Sequence, residues 1–497
     1  DRRELVVRDG KGGKDRVTML PEALRRPLEE QLRVMKAQHD EIARLRDALT
    51  RAEHERDRLK RRNEQLTDQL DAARRAGFRQ AAPFAKPHRQ GTGRPPGRRA
   101  GATYGRHGTR PVPRRIDAIH DAALPVACPA CGGAVHGTPV VSQYQEDLPV
   151  VRPVVREFRV PVGACAACGR RVQGRHRRQT SDALGAAAVQ IGPDAAALVV
   201  VLHQGFGLPL AHVVTLLRDR FGLRVTRGAL VHVCARTAAR ARPTYAALCA
   251  QVRGSPVVSP DETGWNVAGP WHGLWAFATA DTTVDAIRPG RGFGDAATIL
   301  GEEFAGVLTR DGWAPYRRFV HADHQTCLAP LLRRARLLQI DHLRSPLAAR
   351  VQQRLRQALA LRDRHAAGAV SAHGLAVARG RLRAQTRDLL TRTRSAIPAV
   401  QRFVAHLTRE ASALFTFLGD PAIDATNWRA EHAIRPAVVM RKVCGGNRNA
   451  RGAQTQQVLA SVLRTAHLRG LDPSPILVTL LRAPTPIVPL SLQAPPQ

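Results

Sequence analysis

Three acidic residues have the types and positions that metal-dependent phosphate chemistry requires. Asp261 follows an apolar run in VVSPDETGW (257–265), and Asp311 follows a similar run in GVLTRDGWAPY. Glu431 lies in a later segment rich in basic residues. Carboxylates a few Å apart raise one another's pKa unless a cation lies between them. Mg²⁺ is the expected cation, because it takes oxygen ligands and completes its shell with phosphate and water.

The segments between the two aspartates predict the elements that would position them. We expect a strand in GSPVVSPDET that ends at Asp261, two further strands in WHGLWAFATA and TTVDAIRP, a short helix in FGDAATILGEEF, and a fourth strand that ends at Asp311. This order of strands and helix is how an RNase H-like sheet brings two carboxylates together at neighbouring strand ends.

The third acid would come from a helix within DATNWRAEHAIRPAVVMRKVCGGNRNARG (424–452), with Asn427 as a possible cap at its start. Five cations surround Glu431 and are candidates for DNA binding: Arg435, Arg441, Lys442, Arg448 and Arg451. A carboxylate among these cations and a Gly-Gly loop favours a metal that faces a phosphodiester. The alternative is that both aspartates are turn formers and that Glu431 makes a surface salt bridge.

Two CxxC pairs predict a zinc site. They lie in CPACGG and CAACGR and comprise Cys128, Cys131, Cys165 and Cys168. Two such knuckles can supply a tetrahedral set of four thiolates, although 33 residues between them exceed the spacing of a compact zinc ribbon. A redox role is the alternative, but two pairs favour metal.

The overall charge favours a nucleic-acid partner. The chain of 497 residues carries 77 Lys and Arg against 41 Asp and Glu, a formal net charge of +36. This surplus attracts polyanions over long range, although codon bias with a solubilising surface is an alternative. A membrane partner is disfavoured, because no run of about 18 apolar residues occurs. We expect a cytoplasmic, nucleoid-associated protein.

The first residues predict a β-hairpin around a Gly-Lys turn, in VVRDGKGGKDRVTMLP (6–21). This hairpin resembles that of tyrosine recombinases, particularly integron integrases, and the resemblance would place Lys11 at the cut site. No matching Arg, His and Tyr set follows. We therefore interpret residues 1–34 as an inert fused fragment and Met35 as a possible native start.

A heptad pattern from residue 35 to 76 predicts a coiled coil, with Asn63 as a polar core residue that sets the register. One core position holds Met35, Ile42, Leu49, Arg56, Asn63 and Leu70, and the other holds Gln38, Leu45, Ala52, Leu59, Leu66 and Ala73. A long amphipathic helix folded onto its own chain is the alternative.

Two further regions are candidates for DNA contact. Residues 77–127 form a basic linker whose Arg94, Arg98 and Arg99 could lie along phosphates, or the linker could be a solvated tether. Residues 185–250 are predicted helical, and two segments within them resemble a helix-turn-helix with Thr226 as the N-cap of the second helix. A plain α-hairpin that serves packing is the alternative for this second region.

Long motifs resemble the insertion-sequence-66 family of transposases. They are GRPPGRR, SPVVSPDETGW, GVLTRDGWAPYRRF, HQTCLA and TNWRAEHAIRPAVVMRKVCGGNRNARGAQTQQVLASVLRT, in the family's order from Met35 to the C-terminus. The resemblance implies that Asp261, Asp311 and Glu431 are a DDE triad that holds two Mg²⁺ or Mn²⁺ ions. It also implies a helical insertion at about 335–415.

Three positions depart from the family pattern. Pro330 replaces a histidine that follows the cysteine motif, and Trp428 and His432 replace Asn and Arg around Glu431. A proline is tolerated in the first turn of a helix, but any role of the missing histidine is lost. These departures, with the fused fragment, keep open the alternative of a decayed DNA-binding remnant. An RNA-directed nuclease on the same fold is a weaker alternative.

The sequence thus predicts a multidomain α/β protein that cleaves DNA and transfers strands at the terminal inverted repeats of an insertion sequence. DNA ends and target DNA are the expected partners, together with a second copy of the chain and, in some members of the family, companion proteins. The expected regions are a fragment (1–34), a coiled-coil helix (35–76), a basic linker (77–127), a zinc-binding module (128–180), a helical region (185–250), an RNase H-like catalytic domain (254–470) and a tail (471–497).

Overall fold

The computed structural model describes residues 4–10, 14–19, 22–79, 110–137, 140–187, 189–341 and 346–493. The chain divides into two compact units, Asp1–Tyr144 and Gln145–Gln497. Arg94, Arg98, Arg99 and Lys11 fall outside the described residues. No helix in the described ranges is long and apolar enough to span a membrane.

The first unit begins with the predicted hairpin. Strands β1 (Glu4–Gly10) and β2 (Lys14–Met19) pair antiparallel. Helix α1 (Glu22–Arg79) follows and spans 58 residues. The boundary predicted between residues 34 and 35 therefore falls inside one continuous helix.

Helix α1 exposes the apolar residues of its predicted seam. Met35, Ile42, Leu45 and Leu49 are between 49% and 67% exposed. In the described part of this unit, therefore, no other residues bury these side chains. Pairing of α1 with another helix stays a prediction.

The second unit opens with a small hairpin, β3 (Val162–Ala164) and β4 (Arg171–Gln173). Its helical region holds α2 (Pro193–Val200), α3 (Leu210–Phe221) and α4 (Arg227–Arg253). Local signals separate α3 from α4: Gly222 ends α3 with a positive φ of 67°, and the Thr226 side chain accepts a hydrogen bond from the Ala229 amide at 3.2 Å. The predicted N-cap is confirmed.

A five-stranded sheet forms the centre of this unit. Its strands are β5 (Val257–Asn266), β6 (Trp271–Ala278), β7 (Thr283–Arg288), β8 (Val307–Arg310) and β9 (Asp323–Thr326), in the order β7-β6-β5-β8-β9. The first three pair antiparallel, and β5, β8 and β9 run parallel. Helix α5 (Phe293–Leu300) connects β7 to β8.

Strand β5 does not end at Asp261, so that part of the prediction is wrong. The strand continues for five residues to Asn266, because its second half pairs with β6 from Asp261↔Ala276 to Asn266↔Trp271. Asp311 directly follows β8, as predicted.

Helices follow the sheet. Four of them, α6 (Leu328–Asp341), α7 (Pro346–Ala366), α8 (Ala372–Arg392) and α9 (Pro398–Glu410), form the predicted insertion and share their own apolar core. The chain then continues with α10 (Trp428–Cys444), α11 (Ala450–Leu468) and α12 (Pro473–Arg482).

Alternating residues of β6 divide the helices between the two faces of the sheet. Trp275 and Phe277 belong to a large core with α2, α4, α11 and α12, whereas Leu274 and Ala276 pack in a smaller core with α10. The predicted helical region thus shares a core with the sheet. The predicted tail contains α12, which packs in that same core.

Candidate active site

The parallel pairing of β5 and β8 brings Asp261 and Asp311 to one level of the sheet. Val257 pairs with Val307 and Val258 with Leu308, an offset of 50 residues. The same offset, carried three residues beyond the last pair, would set Asp311 opposite Asp261, and the charge of Asp311 does act on Asp261. Each carboxylate is held by a backbone amide: Asp261 Oδ1 accepts from Glu262 N at 2.9 Å, and Asp311 Oδ1 accepts from Trp313 N at 2.8 Å.

Asn427 fixes the start of α10 against these strands. Its side-chain amide donates to the Pro260 carbonyl at 2.8 Å, and its backbone N–H contacts the Cys327 sulfur at 3.2 Å. Asn427 occupies the N-cap position, but its side chain makes no capping hydrogen bond. The predicted position of Asn427 at the start of the helix is confirmed, but the predicted capping by its side chain is wrong, because the side chain binds β5 instead.

Glu431 lies in the first turn of α10, where the helix dipole favours a negative charge. Because Asn427 holds the beginning of this helix beside Pro260, Glu431 comes within electrostatic reach of Asp261. The structure therefore brings the three predicted acids into one region.

The electrostatics of Asp261 reflect this arrangement. Burial raises the pKa of its carboxyl to about 7, and the charges of Glu262, Asp311 and Glu431 contribute in the same direction. Within the described ranges, however, no three His, Cys, Asp or Glu side chains form a group that could hold a metal ion. The three carboxylates interact through space without forming a closed set of ligands.

Glu262 is a buried acid that the sequence analysis gave no role. Its side chain is 3% exposed, accepts from the Arg291 guanidinium at 2.8 Å and accepts a short hydrogen bond from the Tyr316 hydroxyl. Burial raises the pKa of Glu262 despite these two donors. Successive residues of a strand point to opposite faces, so Glu262 supports β5 from the side opposite Asp261.

A second buried network supports Asp311. The Arg310 guanidinium pairs with Glu410 at 2.5 Å and donates to the Asp311 carbonyl at 3.0 Å. Glu410 also accepts from Thr326 and Arg317. Burial by itself would raise the pKa of Glu410, but Arg310 and these other donors outweigh it and lower the pKa. The network joins the end of α9 to β8 and β9.

The five cations predicted around Glu431 serve different purposes. Arg441 donates to the Thr263 hydroxyl at 3.1 Å and to the Gly264 carbonyl, so it ties α10 to β5. Arg435 and Lys442 also make interactions within the protein. Arg448 and Arg451 are exposed around the start of α11. Arg435 and Lys442 are exposed as well, so the DNA contacts of these cations stay a prediction.

The loop that carries Arg448 is held by Asn447. The Trp265 indole donates to the Asn447 side chain at 2.7 Å, and the Asn447 amide donates to the Asn266 carbonyl at 2.9 Å. Gly446 has a φ of 114°, and a Cβ there would come within 2.3 Å of the Asn266 carbonyl oxygen. Only glycine allows this close approach, which explains the Gly-Gly pair of the motif.

The two CxxC pairs form similar turns, one in each unit. In each turn the first cysteine makes two backbone hydrogen bonds. The Cys128 amide donates to the Gly133 carbonyl, and the Cys128 carbonyl accepts from the Gly132 amide. In the second turn the Cys165 amide donates to the Arg170 carbonyl, and the Cys165 carbonyl accepts from the Gly169 amide. Hydrogen bonds from backbone amides, led by Ala130 and Cys168 respectively, lower the pKa of the Cys128 and Cys165 thiols. A lowered thiol pKa favours the thiolate that zinc requires.

The departures from the family pattern lie at the surface or in a first turn. Pro330 is the third residue of α6, where its ring is tolerated. Trp428 is 49% exposed at the start of α10, and His432 is exposed.

Comparisons with known proteins identify the family of the chain. A family model described as "Transposase IS66 family" matches residues 188–455, more than half of the chain and a range that includes all three acids. The chain is also 28% identical over 379 residues to an uncharacterized protein, y4jD, of Sinorhizobium fredii (strain NBRC 101917 / NGR234), covering 70% of this chain and 72% of that protein. The chain therefore belongs to the IS66 family of transposases.

Proposed function

We propose that this transposase cleaves DNA and transfers strands at the terminal inverted repeats of its element, with Asp261, Asp311 and Glu431 as the catalytic acids. The observation that carries the proposal is the convergence of these acids, two of them level on neighbouring parallel strands and the third on a helix anchored beside them. The strand order β7-β6-β5-β8-β9, with three antiparallel strands followed by parallel ones, supports an RNase H-like fold.

The residues present fit a hard divalent cation. Three oxygen-bearing side chains repel one another there, and the buried Asn427 Oδ1 beside them has no hydrogen-bond partner. Asp261, Asp311 and Glu431 would hold Mg²⁺ or Mn²⁺. When bound, two such ions supply activation of a water or 3′-OH and stabilisation of the leaving oxygen.

The protein's own residues position the reactants. The Glu262 and Trp313 amides orient the two aspartates, and Asn427 orients the helix that carries Glu431. Arg448 and Arg451 would bind phosphates of the DNA. The proposal needs no Ser or Tyr nucleophile, because water or a 3′-OH attacks the phosphodiester directly.

The remaining modules would recognise the DNA end and bring two ends together. We propose that the thiolates of Cys128, Cys131, Cys165 and Cys168 bind a structural Zn²⁺, that Arg94, Arg98 and Arg99 of the linker contact phosphates, and that α1 joins two copies of the chain. Synapsis of two element ends needs at least two subunits, which the paired α1 helices would supply.

The test incubates the full chain with the DNA that flanks its gene and with Mn²⁺, beside Asp261→Asn and Asp323→Asn variants. We expect site-specific nicks with 3′-OH ends, lost in Asp261→Asn and kept in Asp323→Asn. Asp323 is a matched control, because it is an exposed aspartate at the opposite end of the same parallel strands. DNA binding without nicking by the wild-type chain would refute the proposal and favour a decayed end-binding protein.

A further inference from the structure

Tryptophan is distributed unevenly around the proposed site. The chain has five tryptophans. Trp265 and Trp275 are fully buried, as expected of large apolar side chains, whereas Trp313 is 40% and Trp428 49% exposed. Trp313 lies two residues after Asp311, and Trp428 lies three residues before Glu431. Exposed tryptophans therefore adjoin two of the three catalytic acids.

Trp313 is held in a fixed position although it is exposed. Its backbone N–H donates to Asp311, and its indole N–H donates to the Arg291 carbonyl at 3.3 Å. The Arg291 guanidinium lies over the ring, 5.1 Å from its centroid, and is itself paired with Glu262 at 2.8 Å. One part of the ring is thus covered by a cation, while the residue stays 40% exposed two positions after Asp311.

Trp428 repeats this arrangement. The Arg429 guanidinium lies over its ring, 4.9 Å from the centroid, and is paired with Asp424 at 2.6 Å. Residues three apart share a helix face, so Trp428 and Glu431 lie on the same side of α10. In both places an acid holds an arginine, and the arginine orients an exposed tryptophan that lies within three residues of a proposed catalytic acid in the sequence.

Such a ring suits one ligand of the proposed reaction in particular. The phosphate that is cut binds at the carboxylates, so the flat apolar surfaces nearest to it are the bases of the adjoining nucleotides. Stacking of a base on an aromatic side chain is favourable for every base, and a ring that is already oriented loses little entropy on binding. A base inside a duplex shows only its edges in the grooves, so it must leave the stack to reach the ring.

We propose that Trp313 and Trp428 are stacking sites for unpaired nucleobases on either side of the scissile phosphate. The transposase would therefore recognise DNA whose strands are separated at the point of cleavage. This inference rests on the proposed function, because it takes the three acids as the place where the phosphodiester binds.

The test measures binding without cleavage. Fluorescence anisotropy without added Mg²⁺ or Mn²⁺ compares the affinity of the full chain for a labelled duplex with a short unpaired fork and for the same duplex fully paired. Because stacking is independent of sequence, any duplex serves as the probe. We expect the wild type to prefer the fork by about tenfold. Trp313→Ala and Trp428→Ala should lose most of this preference, Trp313→Phe should keep part of it, and all variants should bind the paired duplex as the wild type does.

Trp271→Ala is the matched control. Trp271 is 70% exposed in the same unit, but it pairs with Asn266 and its ring lies against Gly264, three residues along β5 from Asp261 and therefore about 10 Å from it. The control should keep the full preference for the fork. An equal loss in Trp271→Ala, or no preference in the wild type, would overturn the inference. A wild type that prefers the fork but never nicks DNA would refute the proposed catalysis and leave the stacking sites standing.

Discussion

Asp261 occupies a position that costs folding free energy while its carboxylate is ionised. The carboxyl has an ordinary pKa of 3.8, and burial together with three neighbouring acids raises its pKa to about 7 in the folded chain. Between these values the folded state binds the proton more tightly than the unfolded state does. The contribution of this carboxyl to stability without metal should therefore be most favourable below about pH 4, fall as the pH rises to about 7 and then level off.

Neutralising this residue should stabilise the metal-free protein. We expect Asp261→Asn to raise the free energy of unfolding at pH 8 by about 1–3 kcal/mol, with little effect at pH 4, because the wild-type carboxyl is ionised only at the higher pH. Thermal unfolding in EDTA at both pH values measures this. Asp323→Asn, an exposed control, should change neither value. A lower free energy of unfolding for Asp261→Asn at pH 8 would contradict a destabilising effect of the ionised Asp261 carboxylate.

Binding of a cation should offset the loss of folding free energy that the ionised Asp261 carboxylate causes. Mg²⁺ should raise the melting temperature of the wild type at pH 8, because it neutralises the repelling carboxylates, and should raise that of Asp261→Asn much less. Thermal unfolding over a series of Mg²⁺ concentrations tests this expectation. Equal shifts for the two proteins would place the ion elsewhere.

At the scale of elements, the helical insertion supports the site through one buried ion pair. Arg310 immediately precedes Asp311 and is 2% exposed, and its partner Glu410, at the end of α9, is fully buried. Removing one partner of a buried pair leaves the other charge without compensation. The end of α9 is thus coupled to the strand that directly precedes Asp311, a proposed catalytic acid.

Glu410→Ala should therefore destabilise the protein strongly. We expect a loss of about 3–5 kcal/mol in the free energy of unfolding, measured by urea titration at pH 7. Asp388→Ala removes an exposed acid of α8 that pairs with Arg392, and we expect it to change stability by less than about 1 kcal/mol. Similar effects of the two substitutions would show that the buried pair contributes nothing beyond a surface contact.

At the scale of the whole molecule, α1 exposes an apolar seam that we propose pairs with a second copy of the chain. Leu28, Met35, Ile42 and Leu49 follow one another at intervals of seven residues and are all exposed. The seam thus extends beyond Met35 toward the N-terminus, within the same uninterrupted helix. Apolar side chains repeated every seven residues on one helix are typical of coiled coils.

Charges placed on this seam should separate the subunits. We expect the double variant Ile42→Glu and Leu49→Glu to run as a monomer in size-exclusion chromatography with light scattering, because two core positions of the coiled coil become charged. The double variant Ala37→Glu and Ala43→Glu adds the same charge to exposed alanines outside the seam and should keep the oligomer of the wild type. An unchanged oligomer in the seam variant would contradict pairing through α1.

The sequence by itself determined the local features of this protein. The hairpin at residues 4–19, the separation of α3 from α4 and the strands β6, β7 and β8 all follow from turn residues, a capping threonine and apolar alternation, which act over a few residues. The three acids were recognisable for the same reason, since each lies within a contiguous motif. The motifs carried only a resemblance to the transposase family, and the family model that matches residues 188–455 shows that the chain belongs to it.

Only the tertiary structure decided how distant segments support those acids. Strand β5 continues past Asp261 because β6 pairs with it, and Asn427 turns its side chain to β5 instead of capping α10. Glu262 gains its role from Tyr316, which lies 54 residues away in the sequence. Glu410 gains its role from Thr326 and Arg310, which lie 84 and 100 residues away. Local patterns carry no signal for such pairs, because burial and ion pairing between remote residues arise only when the whole unit has folded.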